Sequence, residues 1–146
     1  MHIRTRLGLA AAVAALSFTA MPVLGQERTP APEGATVYIV SPQAGETVTN
    51  PVTVRFGLSG MGVAPAGVEA PDSGHHHLII DVPREGFDFT QGVPSDENHL
   101  HFGGGQTEVT LELAPGEHTM WLLLGDHFHV PHDPVVMSEP VTFTVR

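Results

Sequence analysis

Beyond residue 36 the chain is cut into short apolar runs that alternate with a period of two and are separated by Gly/Pro turns, a pattern that restricts it to β architecture. In Val52-Thr53-Val54-Arg55-Phe56-Gly57-Leu58 the residues Val52, Val54, Phe56 and Leu58 share one face, because successive strand side chains point to opposite sides. Comparable runs occupy Val37–Val40, His77–Asp81, His99–Phe102, Gln106–Leu113, His118–Leu124 and Val141–Val145. No segment after residue 25 carries a helical period. Seven runs punctuated by turns such as Ser41-Pro42-Gln43-Ala44-Gly45 predict an all-β, immunoglobulin-like β-sandwich of about seven strands over residues 36–146. A jelly roll or another small barrel is the competing closure.

The first 25 residues have a different character. Arg4 and Arg6 precede the apolar stretch Leu7–Ala20, and Pro22-Val23-Leu24-Gly25 supplies a breaker and a small-residue cleavage site. Residues 1–25 therefore read as a signal peptide, since the apolar run falls short of the roughly 20 residues a membrane span needs. A periplasmic or secreted location follows, with no stable membrane insertion after cleavage. Residues 26–35, rich in Pro and Glu, read as a flexible lead-in. The remaining 121 residues suffice for one domain with one core. They carry four arginines against sixteen acidic residues, a formal charge of −12, which disfavours nucleic acid and anionic membranes as partners and attracts cations. There is no cysteine, which excludes disulfides, thiolate zinc sites, blue-copper centres and a cysteine nucleophile.

Nine of the ten histidines lie after residue 74, and eight of those form three clusters: His75-His76-His77, His99-Leu100-His101, and His127-Phe128-His129 with His132. Each cluster contains His-x-His. On a strand such a pair points to one side with its imidazoles about 6–7 Å apart, close enough to hold one ion. In a sandwich of this topology the connections after the second, fourth and sixth strands gather at one end. His75–His77 open the third run, His99 and His101 belong to the fourth, and His127–His132 follow the sixth, so all three clusters are expected to converge there. The third and sixth strands are expected to be sheet neighbours. His76 faces away from His75 and His77. His118 begins the sixth run at the opposite end and reads as a structural corner residue. Asp72, Asp96, Glu97, Asp126 and Asp133 lie where they could orient imidazoles or ligate, and Met61 and Met137 could supply thioethers.

The segments Gly74-His75-His76-His77-Leu78-Ile79-Ile80-Asp81, His99-Leu100-His101-Phe102-Gly103-Gly104-Gly105-Gln106-Thr107, and Leu113–Thr119 continuing through Leu124–His132 resemble a bacterial family of small exported proteins, domain of unknown function 4399. The resemblance spans about Val37 to Arg146. It implies an exported single domain and no established activity.

Histidines in this number, without cysteine, point to a metal site. The expected ligands are His75, His77, His99, His101, His127, His129 and His132, with copper as the ion and zinc as the alternative. The expected function is metal handling or tolerance by a binding protein. A redox or hydrolytic metalloenzyme is the second reading. Copper-zinc superoxide dismutase also places His-x-His ligands on a sandwich, but the order and spacing here differ, and no motif assigns an acid or base. A metal-free binding or assembly module is the third, and it would call for exposed aromatics. Gly103-Gly104-Gly105 is not a phosphate loop, because no Lys or Ser/Thr follows at the required spacing.

Overall fold

The computed structural model describes residues 27–146. The expected signal peptide over 1–25, with Gln26, lies outside the described residues. The described chain is all-β and contains no helix, hence none long and apolar enough to cross a membrane. Its strands are β1 (Thr36–Ser41), β2 (Thr47–Val48), β3 (Val52–Ser59), β4 (Gly62–Val63), β5 (Ser73–Ile80), β6 (His99–His101), β7 (Glu108–Leu111), β8 (Gly116–Gly125) and β9 (Val141–Val145). All seven runs are present, and two dipeptide strands, β2 and β4, join them. The third run begins at Ser73 rather than His77, because His75 and His76 continue the antiparallel ladder opposite Gly125 and Leu124.

One sheet has the order β1-β3-β7, the other β2-β9-β8-β5-β4. The two sheets share a core in which Val37, Val52, Val54 and Phe56 of the first meet Leu78, Ile80, Met120, Leu122, Leu124 and Phe143 of the second. The alternation of β3 works as read from the sequence: Val52, Val54 and Phe56 are buried and Arg55 is exposed. The fourth run departs from the expected topology. β6 pairs with β5 as a short edge strand, matching His101 with His77 and His99 with Ile79. That pairing lays His101 alongside His77 and His99 alongside Ile79 rather than beyond the strand ends.

The outer face of the second sheet is not left to solvent. Ile79, Trp121 and Leu123 form a second apolar cluster, covered by Val82, Phe87, Phe89 and Val93 of the connection between β5 and β6. Phe87 meets Trp121 edge-on at 5.3 Å. Segment 28–31, which composition marked as lead-in, runs against the connection after β8. Ala31 N donates to the Asp133 carbonyl, Asp133 N donates to the Thr29 carbonyl, and Arg28 pairs with the Asp133 carboxylate at 2.6 Å.

Candidate metal centre

The odd-numbered residues of β5 point to the outer face, and this places His75 and His77 in line with Ile79, between β8 on one side and β6 on the other. His101 stands beside His77 across the β5–β6 ladder, its ring stacked on that of His77 at 5.1 Å with an 8° tilt. His129 closes the fourth side from the turn after β8, edge-on to His75 at 4.9 Å and to His101 at 4.3 Å. One nitrogen from each of His75, His77, His101 and His129 lies within 4.8 Å of the others. His75 and His77 are fully buried, His129 is half-buried and His101 is exposed, so the group opens to solvent on one side.

Asp126 sets the position of His129. One carboxylate oxygen accepts the backbone N–H groups of Phe128 and Val130 at 2.9 and 3.0 Å, and the other accepts the Thr29 hydroxyl at 2.7 Å. These bonds hold a tight turn in which His129 has φ 66°, a left-handed conformation uncommon for a residue with a side chain. Burial opposes the Asp126 charge, yet these donors bring its carboxyl below the ordinary range. Two glycines make room for the rings. A Cβ on Gly125 would sit 2.6 Å from His77 Cε1, and one on Gly103 would sit 2.7 Å from His101 Nε2. Sequence reading assigned neither role; the spacing of Gly125 two residues from Leu123, the partner of His77, is the signal that could have found the first.

Three of the imidazoles are held toward their neutral form. Burial, then the neighbouring His101 and His129, lower the His75 pKa to about 4 against a smaller opposing pull from Asp126. Burial lowers His77 to about 2, with His75, His101 and His129 adding to it. His101 is lowered by burial and by His129. His75 Nδ1 and His77 Nδ1 are buried with no hydrogen-bond partner, as are both ring nitrogens of the inward-facing His76, while within the group His75 Nε2 lies 2.9 Å from His129 Nδ1. Such an arrangement offers lone pairs, not charge, to a cation.

The other expected ligands stand apart from this group. His99 turns toward Phe87 and is bound through Nδ1 to Asp96 at 2.8 Å. His127 lies against the exposed Phe128, with ring centroids 4.0 Å apart and the planes tilted by 41°. His132 is buried, its ring nitrogens 3.4 and 3.1 Å from the carbonyls of Leu124 and Ser73. The eight clustered histidines thus do not form one constellation: three serve loops and backbone, and His76 turns inward against Phe56 at 5.2 Å. Met61 packs on the main core and Met137 is exposed opposite Leu123. His118 bridges the Asp81 carboxylate at 2.7 Å and the Ala114 carbonyl at 2.8 Å, tying down the corner before β8.

Residues 54–146 match a family model described as domain of unknown function (DUF4399), a span that begins within β3 and includes all four convergent imidazoles. No curated protein and no solved structure matches the chain.

Proposed function

We propose, from the premise that the chain belongs to the domain of unknown function 4399 family and that membership brings no activity with it, that this is an exported copper-binding protein. Its role is metal handling or tolerance, and His75, His77, His101 and His129 hold the ion. The observation that carries this reading is the convergence of four imidazoles, two of them fully buried, with one nitrogen from each within 4.8 Å of the others.

Copper is favoured by the donors. The group has four imidazoles and no carboxylate, and nitrogen sites bind divalent copper more tightly than the other first-row ions, zinc included. Zinc takes tetrahedral imidazole sites with nitrogens about 3.3 Å apart, given its bonds of about 2.0–2.1 Å, so it is the competing ion. The strand layout, with the first, second and fifth runs in one sheet and the third, sixth and seventh in the other, supports an immunoglobulin-like scaffold. The exposed side at His101 favours a second reading, a metalloenzyme whose ion takes a further ligand from solvent.

The test is titration of metal-free protein, residues 26–146, with Cu(II), Cu(I) and Zn(II), with nitrogen hyperfine coupling read by electron paramagnetic resonance of the Cu(II) form. Sub-micromolar binding with several imidazole nitrogens on copper is expected. Failure of all three ions to bind below micromolar overturns the proposal.

A further inference from the structure

The connection from Asp81 to Asn98 is fixed to the rest of the molecule along its length. Trp121 Nε1 donates to the Val82 carbonyl at 2.8 Å, Arg84 to the Ser138 carbonyl at 3.1 Å, Arg28 to the Phe89 carbonyl at 3.0 Å, and Val93 N to the His129 carbonyl at 2.9 Å. Beneath it lies a cavity of about 310 Å³ whose apolar walls are Val82, Pro83, Phe87 and Pro94. Phe87 is held in place by Trp121 at 5.3 Å and Phe89 at 5.1 Å, so the walls are preformed. The volume is at the small end for ligand pockets, enough for a one-ring molecule.

A single imidazole supplies the polarity of the inner wall. His99 lines the cavity, its side chain only 12 % exposed, and its Nδ1 lies 2.8 Å from an Asp96 oxygen. An ionised carboxylate can only accept, so Nδ1 carries the hydrogen and Nε2 of the neutral ring is left as an acceptor. Nε2 makes no hydrogen bond among the described residues and is not among the buried orphans, so it remains reachable. Glu85 and Asp88 also line the cavity and are exposed, and neither has a cationic partner among the described residues.

We infer that this cavity binds a small organic amine with an apolar body. The ammonium N–H donates to His99 Nε2, the Glu85 and Asp88 carboxylates offset its charge, and Val82, Phe87 and Pro94 cover the hydrocarbon. The same carboxylates, on a chain of net charge −10, repel an acid of equal shape. This site does not depend on the metal reading, and it is tested on metal-free protein.

The experiment titrates the protein with benzylamine and, separately, benzoate, at pH 7.5. The readout is the indole N–H resonance of Trp121, the chain's one tryptophan, which touches both Phe87 and Val82. Saturable binding of benzylamine in the millimolar range is expected for a ligand of this size, with benzoate about tenfold weaker or more. His99→Leu, which removes the acceptor, is expected to weaken benzylamine about tenfold. Should His99→Leu not fold, the surface pair Glu85→Gln and Asp88→Asn decides, and it is expected to bring the two probes to within about threefold of each other. No saturable shift, equal binding of both probes, or an unchanged benzylamine affinity in these variants overturns the inference.

Discussion

Gly125→Ala changes one hydrogen for a methyl on a strand residue that is not itself a ligand, and it is expected to disable the metal centre. The added Cβ would lie 2.6 Å from His77 Cε1 and 3.1 Å from its Nδ1. Non-bonded carbons settle about 3.5–4.0 Å apart, so the His77 ring must withdraw by about 1 Å. It has nowhere easy to go, because His101 is stacked on it at 5.1 Å and His75 lies at 4.6 Å. Crowding of this kind costs about 1–3 kcal/mol, to be seen as a lower urea midpoint of the metal-free variant. Metal–ligand distances tolerate about 0.2 Å, so a ring displaced by about 1 Å is lost as a ligand. The affinity should drop by at least the about 10–100-fold that disturbing a ligand's supporting partner costs. Gly62→Ala is the control, since its Cβ would meet nothing closer than the Asp72 carbonyl at 3.9 Å. A Gly125→Ala protein with wild-type midpoint and wild-type copper affinity would refute the placement of His77. Lost stability with unchanged affinity would refute its role as a ligand alone.

His129→Ala should weaken copper binding at least tenfold, whereas His127→Ala should leave it within about twofold; calorimetric titration separates them. His132→Ala should lower the urea midpoint of the metal-free protein more than its copper affinity, because the ring is spent on the Leu124 and Ser73 carbonyls. His75, His76 and His77 have pKa values lowered by burial to about 4, 4 and 2. The stability they permit by staying neutral is therefore full above pH 6.5 and is lost as pH falls from 6.5, down to about 4 for His75 and His76 and about 2 for His77. His118 has the opposite sign: burial pulls its pKa down, but the Ala114 carbonyl and Asp81 raise it overall, so its contribution is full below pH 6.5 and lost as pH rises through the raised value. Urea midpoints at pH 5, 7 and 9 should therefore show an acid loss in the wild type, and His118→Gln should remove the alkaline slope while keeping the acid one.

The β runs were legible because alternation is a local property: Val52, Val54 and Phe56 face the core as their spacing requires. The start of β5 was not, since the apolar run ends at Leu78 and extends only to His77 when one histidine is allowed, yet Ser73 begins the strand and His75, His76 and His77 are all buried in the ladder. Neighbourhood of the third and sixth strands followed from the expected topology, and with it the meeting of His75 and His77 with the turn after β8. Selection among the eight histidines did not follow. Two residues on, His101 repeats the direction of His99, but the register of β6 sets one beside His77 and the other beside Ile79, where Phe87 and Asp96 claim it. Register against a three-residue edge strand depends on one pairing, and no hydrophobic period fixes it. The turn carrying His129 is likewise invisible beforehand, because it is held by a carboxylate whose third donor, Thr29, lies 97 residues away.

The four imidazoles differ in how firmly the fold holds them, and this predicts which way an ion leaves. His75 and His77 sit on β5, which is paired with β8 over six residues and buried on both faces. His101 sits on β6, an edge strand paired over three residues and exposed at that position. Short edge elements open locally at far lower cost than central strands. An ion should therefore meet His101 first and lose it first, while His75 and His77 keep it until the edge opens. Leu100→Ala separates this from simple ligand loss, because Leu100 packs on the core opposite Leu78 and carries no donor atom. The variant should keep the Cu(II) spectrum of the wild type. It should release the ion to a chelator several-fold faster, since removing half-buried Leu atoms weakens β6 by up to the about 2–5 kcal/mol of a fully buried Leu→Ala change. Identical release rates would mean that the ion departs without β6 moving, and the edge strand would then have no part in exchange.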